Sequence, residues 1–280
     1  MFNETFRLVN GVEIPKLGLG TWLLDDKQAE QAVRDAIAIG YRHIDTAQAY
    51  GNEAGVGEGI RLSGAAREEL FVMTKVAAEH KDYEAAARSI DESLAKLGLD
   101  YIDLLIIHSP QPWKEFREEK RYFEENKEVW KALEAAYRAG KVKAIGLSNF
   151  LDDDVRNILS DCEIKPAVNQ ILAHVSSAPF ELIEFCRQND IRVEAYSPVA
   201  HGAILERADL KAMADRYGVS PAQLCLRYDL QLGLVVIPKT ANPDHMRINA
   251  ALDFTISEAD MEGKEQQVLS QIRKAVNPDH

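Results

Sequence analysis

Four side chains able to hold or pass a proton stand at or just past the ends of short apolar runs: Asp45, Tyr50, Lys75 and His108. Asp45 ends the run His43–Asp45, Lys75 ends Leu70–Lys75, and His108 ends Ile102–His108; Tyr50 follows Asp45 within one loop. A lysine buried against an aspartate keeps its charge, and that charge beside a phenol favours the phenolate. The set predicts a Tyr50 pKa drawn down toward neutrality, and a phenol fit to act as general acid to an oxygen. His108 would hydrogen-bond and orient the same oxygen. Each residue alone has a plainer reading. Asp45 can cap a turn, His108 can be a satisfied core histidine, Lys75 a surface lysine and Tyr50 a rim aromatic. What argues for chemistry is their arrival together on three consecutive run ends or their loops. Such chemistry needs no metal, and no residue cluster has the spacing to hold one.

The elements that must position these residues read as α/β. Eight apolar runs predict strands: Leu17–Gly20, His43–Asp45, Leu70–Lys75, Ile102–His108, Ala144–Ser148, Ala167–Gln170, Arg192–Tyr196 and Leu234–Pro238. They do not alternate with polar residues, which suits parallel strands covered on both faces. Helical period predicts helices over Lys27–Ile39, Tyr83–Leu97 and Lys127–Ala139, closed by Gly40, Gly98 and Gly140 as left-handed caps. Ser220-Pro221-Ala222-Gln223 is a capping box, and Asn242-Pro243 opens another helix. Ahead of all this, Thr5–Val9 and Val12–Pro15 flank Asn10-Gly11, a two-residue hairpin turn signal. Strands alternating with helices fit either a closed (β/α)8 barrel or a doubly wound open sheet. Polar residues at the ends of successive strands favour the barrel, whose chemistry sits on that rim.

A chain of 280 residues with 46% apolar and 28% charged side chains has enough apolar material for a large core. No linker or composition break divides it, so one domain over 1–280 is expected. A formal net charge of -12 argues against nucleic acid or an anionic membrane as partner. No apolar run approaches the roughly 18 residues that span a bilayer, and Met1-Phe2-Asn3-Glu4 has no signal-peptide character. Cys162, Cys186 and Cys225 are scattered, as buried thiols of a reducing compartment would be. These features predict a cytoplasmic protein, a monomer by default, with small molecules as partners.

Longer motifs carry a resemblance. Gly40-Tyr41-Arg42-His43-Ile44-Asp45-Thr46-Ala47-Gln48-Ala49-Tyr50-Gly51-Asn52-Glu53 resembles the signature of the aldo-keto reductase family. So do Gly18-Leu19-Gly20-Thr21-Trp22, Lys143-Ala144-Ile145-Gly146-Leu147-Ser148-Asn149-Phe150 and Ile237-Pro238-Lys239-Thr240. The resemblance spans nearly the whole chain and implies a (β/α)8 TIM barrel, its bottom closed by the N-terminal hairpin. It implies reduction of aldehydes and ketones with NADPH/NADP, Tyr50 protonating the carbonyl oxygen, Lys75 and Asp45 setting its pKa, and His108 orienting the carbonyl. The proportions resemble microbial members, including the 2,5-diketo-gluconate reductase type. Ser148, Asn149 and Gln170 would hold the nicotinamide carboxamide and Tyr196 would stack on its ring. Gly20, Thr21 and Trp22 would line the cofactor side of the first strand. Ser197 and Pro198, with the loop to Leu205, would lie near the pyrophosphate.

The far end of the cofactor is where this chain departs from the pattern. Lys239, Thr240 and Asn242 stand where the family binds the 2′-phosphate, at a helix start suited to an anion. His245 replaces an arginine found in many relatives, and Arg247 points about 200° away from it on a helix. Asn249 takes the adenine position. The combination predicts NADPH use with NADH also accepted. Trp22 and Trp113, with Tyr50 and His108, would wall the substrate pocket. The charge-dense stretch Lys114–Lys127 reads as a solvated helix start. After the helix predicted at Glu258–Ala275 only a short tail remains, which predicts an open pocket and broad acceptance of aldehydes and α-keto carbonyls. A non-catalytic nicotinamide-binding regulatory or structural subunit on the same fold is the alternative reading.

Overall fold

The computed structural model describes residues 1–276. Its chain opens with an antiparallel hairpin, β1 (Thr5–Arg7) on β2 (Glu13–Pro15), with Phe6 opposite Ile14. The expected two-residue turn is corrected here. Leu8 and Val12 still pair, and Val9–Gly11 form a three-residue loop with Gly11 at φ +86°. Asn10 is drawn away by its side chain, which donates to the Lys143 carbonyl at 2.9 Å.

The apolar runs then become β3 (Gly18–Gly20), β4 (His43–Asp45), β5 (Phe71–Val76), β6 (Ile102–Ile107), β7 (Val142–Ser148), β8 (Val168–Leu172), β9 (Arg192–Tyr196) and β10 (Val235–Val236). They pair in chain order, all parallel. Bridges from Leu17 to Val236 and from Gly20 to Lys239 join the last strand to the first. The result is a (β/α)8 barrel rather than an open sheet.

Around it lie α1 (Asp26–Ile39), α2 (Glu53–Ser63), α3 (Tyr83–Leu97), α4 (Phe123–Arg138), α5 (Asp152–Leu159), α6 (Phe180–Gln188), α7 (Ala208–Tyr217), α8 (Pro221–Gln231), α9 (Pro243–Ala250) and α10 (Glu258–Val276). The chain expected beyond α10, 277–280, lies outside the described residues. Helix α4 begins at Phe123 rather than at Lys127. Its first turn is held because buried Asn126 donates to the Pro110 carbonyl. Of the stretch read as a solvated helix start, only a short 3-10 turn at Trp113–Glu115 precedes that point. Of the three expected glycine caps, Gly98 and Gly140 are left-handed, but Gly40 sits at φ 128°.

Alternation along each strand divides the apolar residues into two cores. Val72, Leu105, Ile107, Ile145, Leu147 and Val193 face the helices. Phe71, Met73, Leu104, Ile106, Ala144, Val168 and Val235 fill the barrel interior, where Leu8 and Ile14 of the hairpin floor them. Residues in step with the interior set, one pleat higher, are Asp45, Lys75, His108, Ser148, Gln170 and Tyr196. The barrel therefore delivers the polar rim by parity alone. Among the described residues no helix is long and apolar enough to cross a membrane, and no group of three or more His, Cys, Asp or Glu could hold a metal.

Helix α2, which anchors the loop carrying Tyr50, lies very close to its neighbours. A side-chain carbon at Gly55 would overlap the Asp26 backbone, and one at Gly57 the Leu97 carbonyl. We expect Gly57→Ala to lower the melting temperature. Its gain in helix propensity, about 1 kcal/mol, is outweighed by overpacking of about 1–3 kcal/mol. Thermal unfolding followed by circular dichroism checks this, and an unchanged or raised melting temperature contradicts it.

Candidate active site

Lys75 is fully buried at the top of β5, and all three of its N–H groups are engaged. They reach Asp45 Oδ1 at 2.5 Å, the Thr46 carbonyl at 3.0 Å and the Tyr50 hydroxyl at 3.1 Å. Burial is the largest influence on Lys75 and acts to lower its pKa. The Asp45 charge and the hydrogen bonds reverse this and leave it raised, at about 12. The ammonium is thus held charged at neutral pH.

The expectation for Tyr50 needs correction. Lys75 does pull its pKa down, but burial of the phenol is the larger effect, and the net shift is up, to about 12. Tyr50 is a protonated donor at neutral pH, not a near-neutral acid. His108 is set differently. Burial, then the Lys75 charge, push it well below its ordinary value, so it is a neutral imidazole. Its ring lies edge-on to Tyr50 at 5.6 Å and to Trp113 at 4.9 Å between centroids. Of the two, only Tyr50 carries a proton suited to be given away.

Residues outside this quartet hold it. Gln48 accepts from the Ala77 amide and donates to the Ser89 carbonyl and Ser93, bolting the Tyr50 turn to the exit of β5. Buried Asn52 accepts from Thr46 and donates to the Thr21 and Leu24 carbonyls. The Thr21 hydroxyl is turned inward onto the Asp45 carbonyl at 2.8 Å. Gly20 lies against Lys239, where a side chain would crowd it.

On the opposite rim, Asn149 takes φ 63° and donates to the His108 carbonyl and to Ser148. The Tyr196 hydroxyl donates to Asn149 Oδ1 at 2.8 Å, tying β9 to the end of β7. Gln170 is buried, and both N–H groups of its amide point inward, to Asp45 Oδ1 at 3.0 Å and Glu194 Oε2 at 2.7 Å. Its Oε1 is left as acceptor. Ser197, at φ 51°, lies 3.3 Å from His201, and the His201 ring meets Trp22 at 5.3 Å. Pro198 is buried behind them. Trp22 and Trp113 are both well exposed at this mouth, and Trp113 continues onto Phe116.

The outer end is more open. Lys239, Asn242 and His245 are exposed, and Asn249 is buried on the inner side of α9. Thr240 accepts from the Asn242 amide, and Asn242 caps α9 through the Asp244 amide. Arg247 turns to Asp244 at 3.1 Å rather than toward His245.

The residues that sequence reasoning passed over are Gln48, Asn52, Glu194 and His43. The last two share the interior parity of Tyr196 and Asp45, and a charged or ionisable residue there was the available signal.

Residues 16–266 match the pattern of the Aldo/keto reductase family. Glyoxal reductase of Bacillus subtilis (strain 168) is 42% identical over 261 residues, 92% of this chain and 91% of the relative. A 9,11-endoperoxide prostaglandin H2 reductase of Trypanosoma cruzi (strain CL Brener) is 42% identical over 259 residues, 91% and 88% of the two chains. Among solved structures, an aldo/keto reductase from Brucella melitensis superposes with a TM-score of 0.88 at 38% identity, covering 94% of this chain and 99% of the other. A Bombyx mori aldo-keto reductase, solved in complex with NADP, superposes at 0.85 with 33% identity, covering 94% and 92%.

The geometry fixes what Lys75→Met will do. It leaves the Asp45 carboxylate buried without its counter-ion, a loss of about 3–5 kcal/mol in urea unfolding. It also removes the one cation opposing burial at Tyr50. The Tyr50 phenol, read as the absorbance titration that Tyr50→Phe abolishes, then moves above its wild-type value of about 12. A variant as stable as wild type, or a lowered Tyr50 titration, contradicts the arrangement.

Proposed function

The chain belongs to the aldo/keto reductase family and is an oxidoreductase, and we propose that it reduces aldehydes and ketones to alcohols with NADP(H), Tyr50 being the general acid. The observation that carries this reading is the contact of the Tyr50 hydroxyl with the fully engaged Lys75 ammonium, 3.1 Å away. It is the work of one barrel domain, and one chain supplies every residue of the quartet, so a monomer is the working unit. Three free cysteines accord with a cytoplasmic setting.

The rim offers polar groups that fit a nicotinamide carboxamide: the Gln170 Oε1 acceptor, the Ser148 hydroxyl and the Asn149 Oδ1. The half-buried Tyr196 ring beside them offers a stacking face. When bound, the reduced ring supplies a hydride to the carbonyl carbon. The protein's own residues do the rest. Neutral His108 donates an N–H to the carbonyl oxygen and fixes its direction. Tyr50 gives its proton to the same oxygen as negative charge develops there. Lys75 then faces a phenolate, and the ammonium N–H already aimed at that oxygen stabilises it. Asp45 keeps Lys75 charged through the step. The intact quartet supports this reading over a non-catalytic binding subunit.

Exposed Trp22 and Trp113, with half-buried Phe116, give the mouth apolar walls. We read it as open to small aldehydes and α-keto carbonyls, a class that includes the glyoxal named for the Bacillus relative and the 2,5-diketo-gluconate type. At the far end, exposed Lys239 favours a 2′-phosphate, while the Asp244 carboxylate opposes it and engages Arg247. These oppositions make NADPH the preferred cofactor with NADH accepted.

Two measurements test the reading. Tyr50→Phe lowers kcat for aldehyde reduction by about 10²–10⁴-fold while NADPH still binds, as read by fluorescence quenching; undiminished turnover contradicts it, and NADPH binding without turnover in wild type favours the binding-subunit alternative. Steady-state kinetics of the wild type with both cofactors show higher kcat/KM for NADPH and measurable turnover with NADH, and a clear NADH preference contradicts the assignment at Lys239.

A further inference from the structure

Glu194 and His43 meet inside the barrel, below the quartet. Both are completely buried, and His43 Nε2 lies 3.4 Å from Glu194 Oε1. Neither atom has another hydrogen-bond partner. The remaining atoms of both side chains are engaged. His43 Nδ1 stands 3.3 Å from the Pro15 carbonyl, which can only accept, so Nδ1 carries the hydrogen and Nε2 is a bare acceptor. Glu194 Oε2 accepts from Gln170. The interior is shaped for this meeting, since a side chain at Gly18 would occupy the place of the His43 ring.

With Glu194 ionised and His43 neutral, a buried carboxylate oxygen would face an imidazole lone pair, and both atoms would stay unsatisfied. An imidazolium–carboxylate pair would satisfy them. It would also add a second cation to an interior that already holds Lys75. The charged groups facing the pair are Asp45 and Lys75, which neutralise each other. We infer that Glu194 is a neutral carboxylic acid donating its Oε1–H to His43 Nε2, and that through Gln170 it is a positioning residue for the active site. One unbroken file of hydrogen bonds then runs from the Pro15 carbonyl on the hairpin through His43, Glu194 and Gln170 to Asp45 and Lys75. It fixes both Gln170 N–H groups inward and leaves Oε1 facing the mouth. Burial, then the Asp45 charge, raise the Glu194 pKa, and burial carries His43 down to about 3, with Lys75 acting in the same direction.

The sign of the pH effect follows. A raised acid keeps its proton through neutral pH and loses it on the alkaline side. Deprotonation there removes the donor to His43 and puts a second anion beside Asp45. The resulting loss of activity comes from Glu194, because Tyr50 stays protonated up to about 12.

The positioning role rests on the proposed carbonyl reduction; the protonation state does not, and the two are read separately. The infrared difference between wild type and Glu194→Gln at neutral pH should show the carbonyl stretch of a protonated acid, with buried Asp229 cancelling. The 15N shifts of wild-type His43 should show the neutral Nδ1–H tautomer. A carboxylate band, or a doubly protonated His43, overturns the neutral acid, whether or not the protein reduces any carbonyl. For positioning, Glu194→Leu should lower kcat roughly tenfold, the loss of about one hydrogen bond's worth of order, and weaken NADPH binding. Glu194→Gln, which keeps a donor and an acceptor, should restore most of that kcat and lack the alkaline fall of wild type. A Glu194→Leu enzyme with wild-type kcat, or an alkaline fall unchanged in Glu194→Gln, overturns the positioning role. If Glu194→Leu does not fold, the pH profile of Glu194→Gln alone decides. A wild type that turns over no carbonyl sinks the reductase reading itself and, with it, the positioning role.

Discussion

One ammonium group governs this site. Taking a lysine out of water costs several kcal/mol even after relaxation, and Lys75 is tolerated inside the barrel only because each of its N–H groups meets an oxygen. Those three oxygens belong to β4 and to the loop that follows it. The position of the cation is therefore set by how β4 and β5 pair, with Asp45 beside Met73 in register. Moving either strand by one residue would turn Asp45 or Lys75 to the helical side and part the two charges. Closure of the barrel, the packing of α2 and the bolts from Gln48 and Asn52 all serve to keep that register.

The cation also sets one phenol apart from the other eight tyrosines, and the proposed role of Tyr50 as acid rests on it. Burial alone would make Tyr50 a very poor acid, because its phenolate would be left in a dry place. Lys75 offsets part of that cost and is already aimed at the oxygen where the charge will appear. His108, under the same burial and the same positive field, is driven the other way and becomes a fixed neutral donor. A single charge thus acts on two neighbouring groups in ways that suit the roles proposed for them, proton donor and orienting group, as paired sites with opposed environments commonly do.

Much of this is legible in the sequence alone. Chemistry-bearing residues at the ends of non-alternating apolar runs pointed to a barrel rim, and strand parity then placed Asp45, Lys75, His108, Ser148, Gln170 and Tyr196 on the inner face. What was not legible depends on depth. The direction of the Tyr50 shift turned on whether burial or Lys75 prevails, and the spacing of residues does not report burial. The hairpin loop departs from a two-residue turn because the Asn10 side chain reaches Lys143, a contact 133 residues away in sequence. Helix α4 began early because Asn126 is held by a loop rather than by solvent. Glu194 and His43 were in view as strand residues, but their meaning lies in two facing atoms that only the folded interior brings together.

The proposed reduction turns on the proton leaving Tyr50. Replacing Tyr50 with a graded series of fluorinated tyrosines changes the acidity of the phenol while preserving its shape and its contact with Lys75. In single-turnover reduction of a reactive aldehyde with NADPH, at a pH where each phenol remains protonated, the rate should climb steadily as the phenol becomes more acidic. A rate indifferent to that acidity would mean that the proton comes from elsewhere.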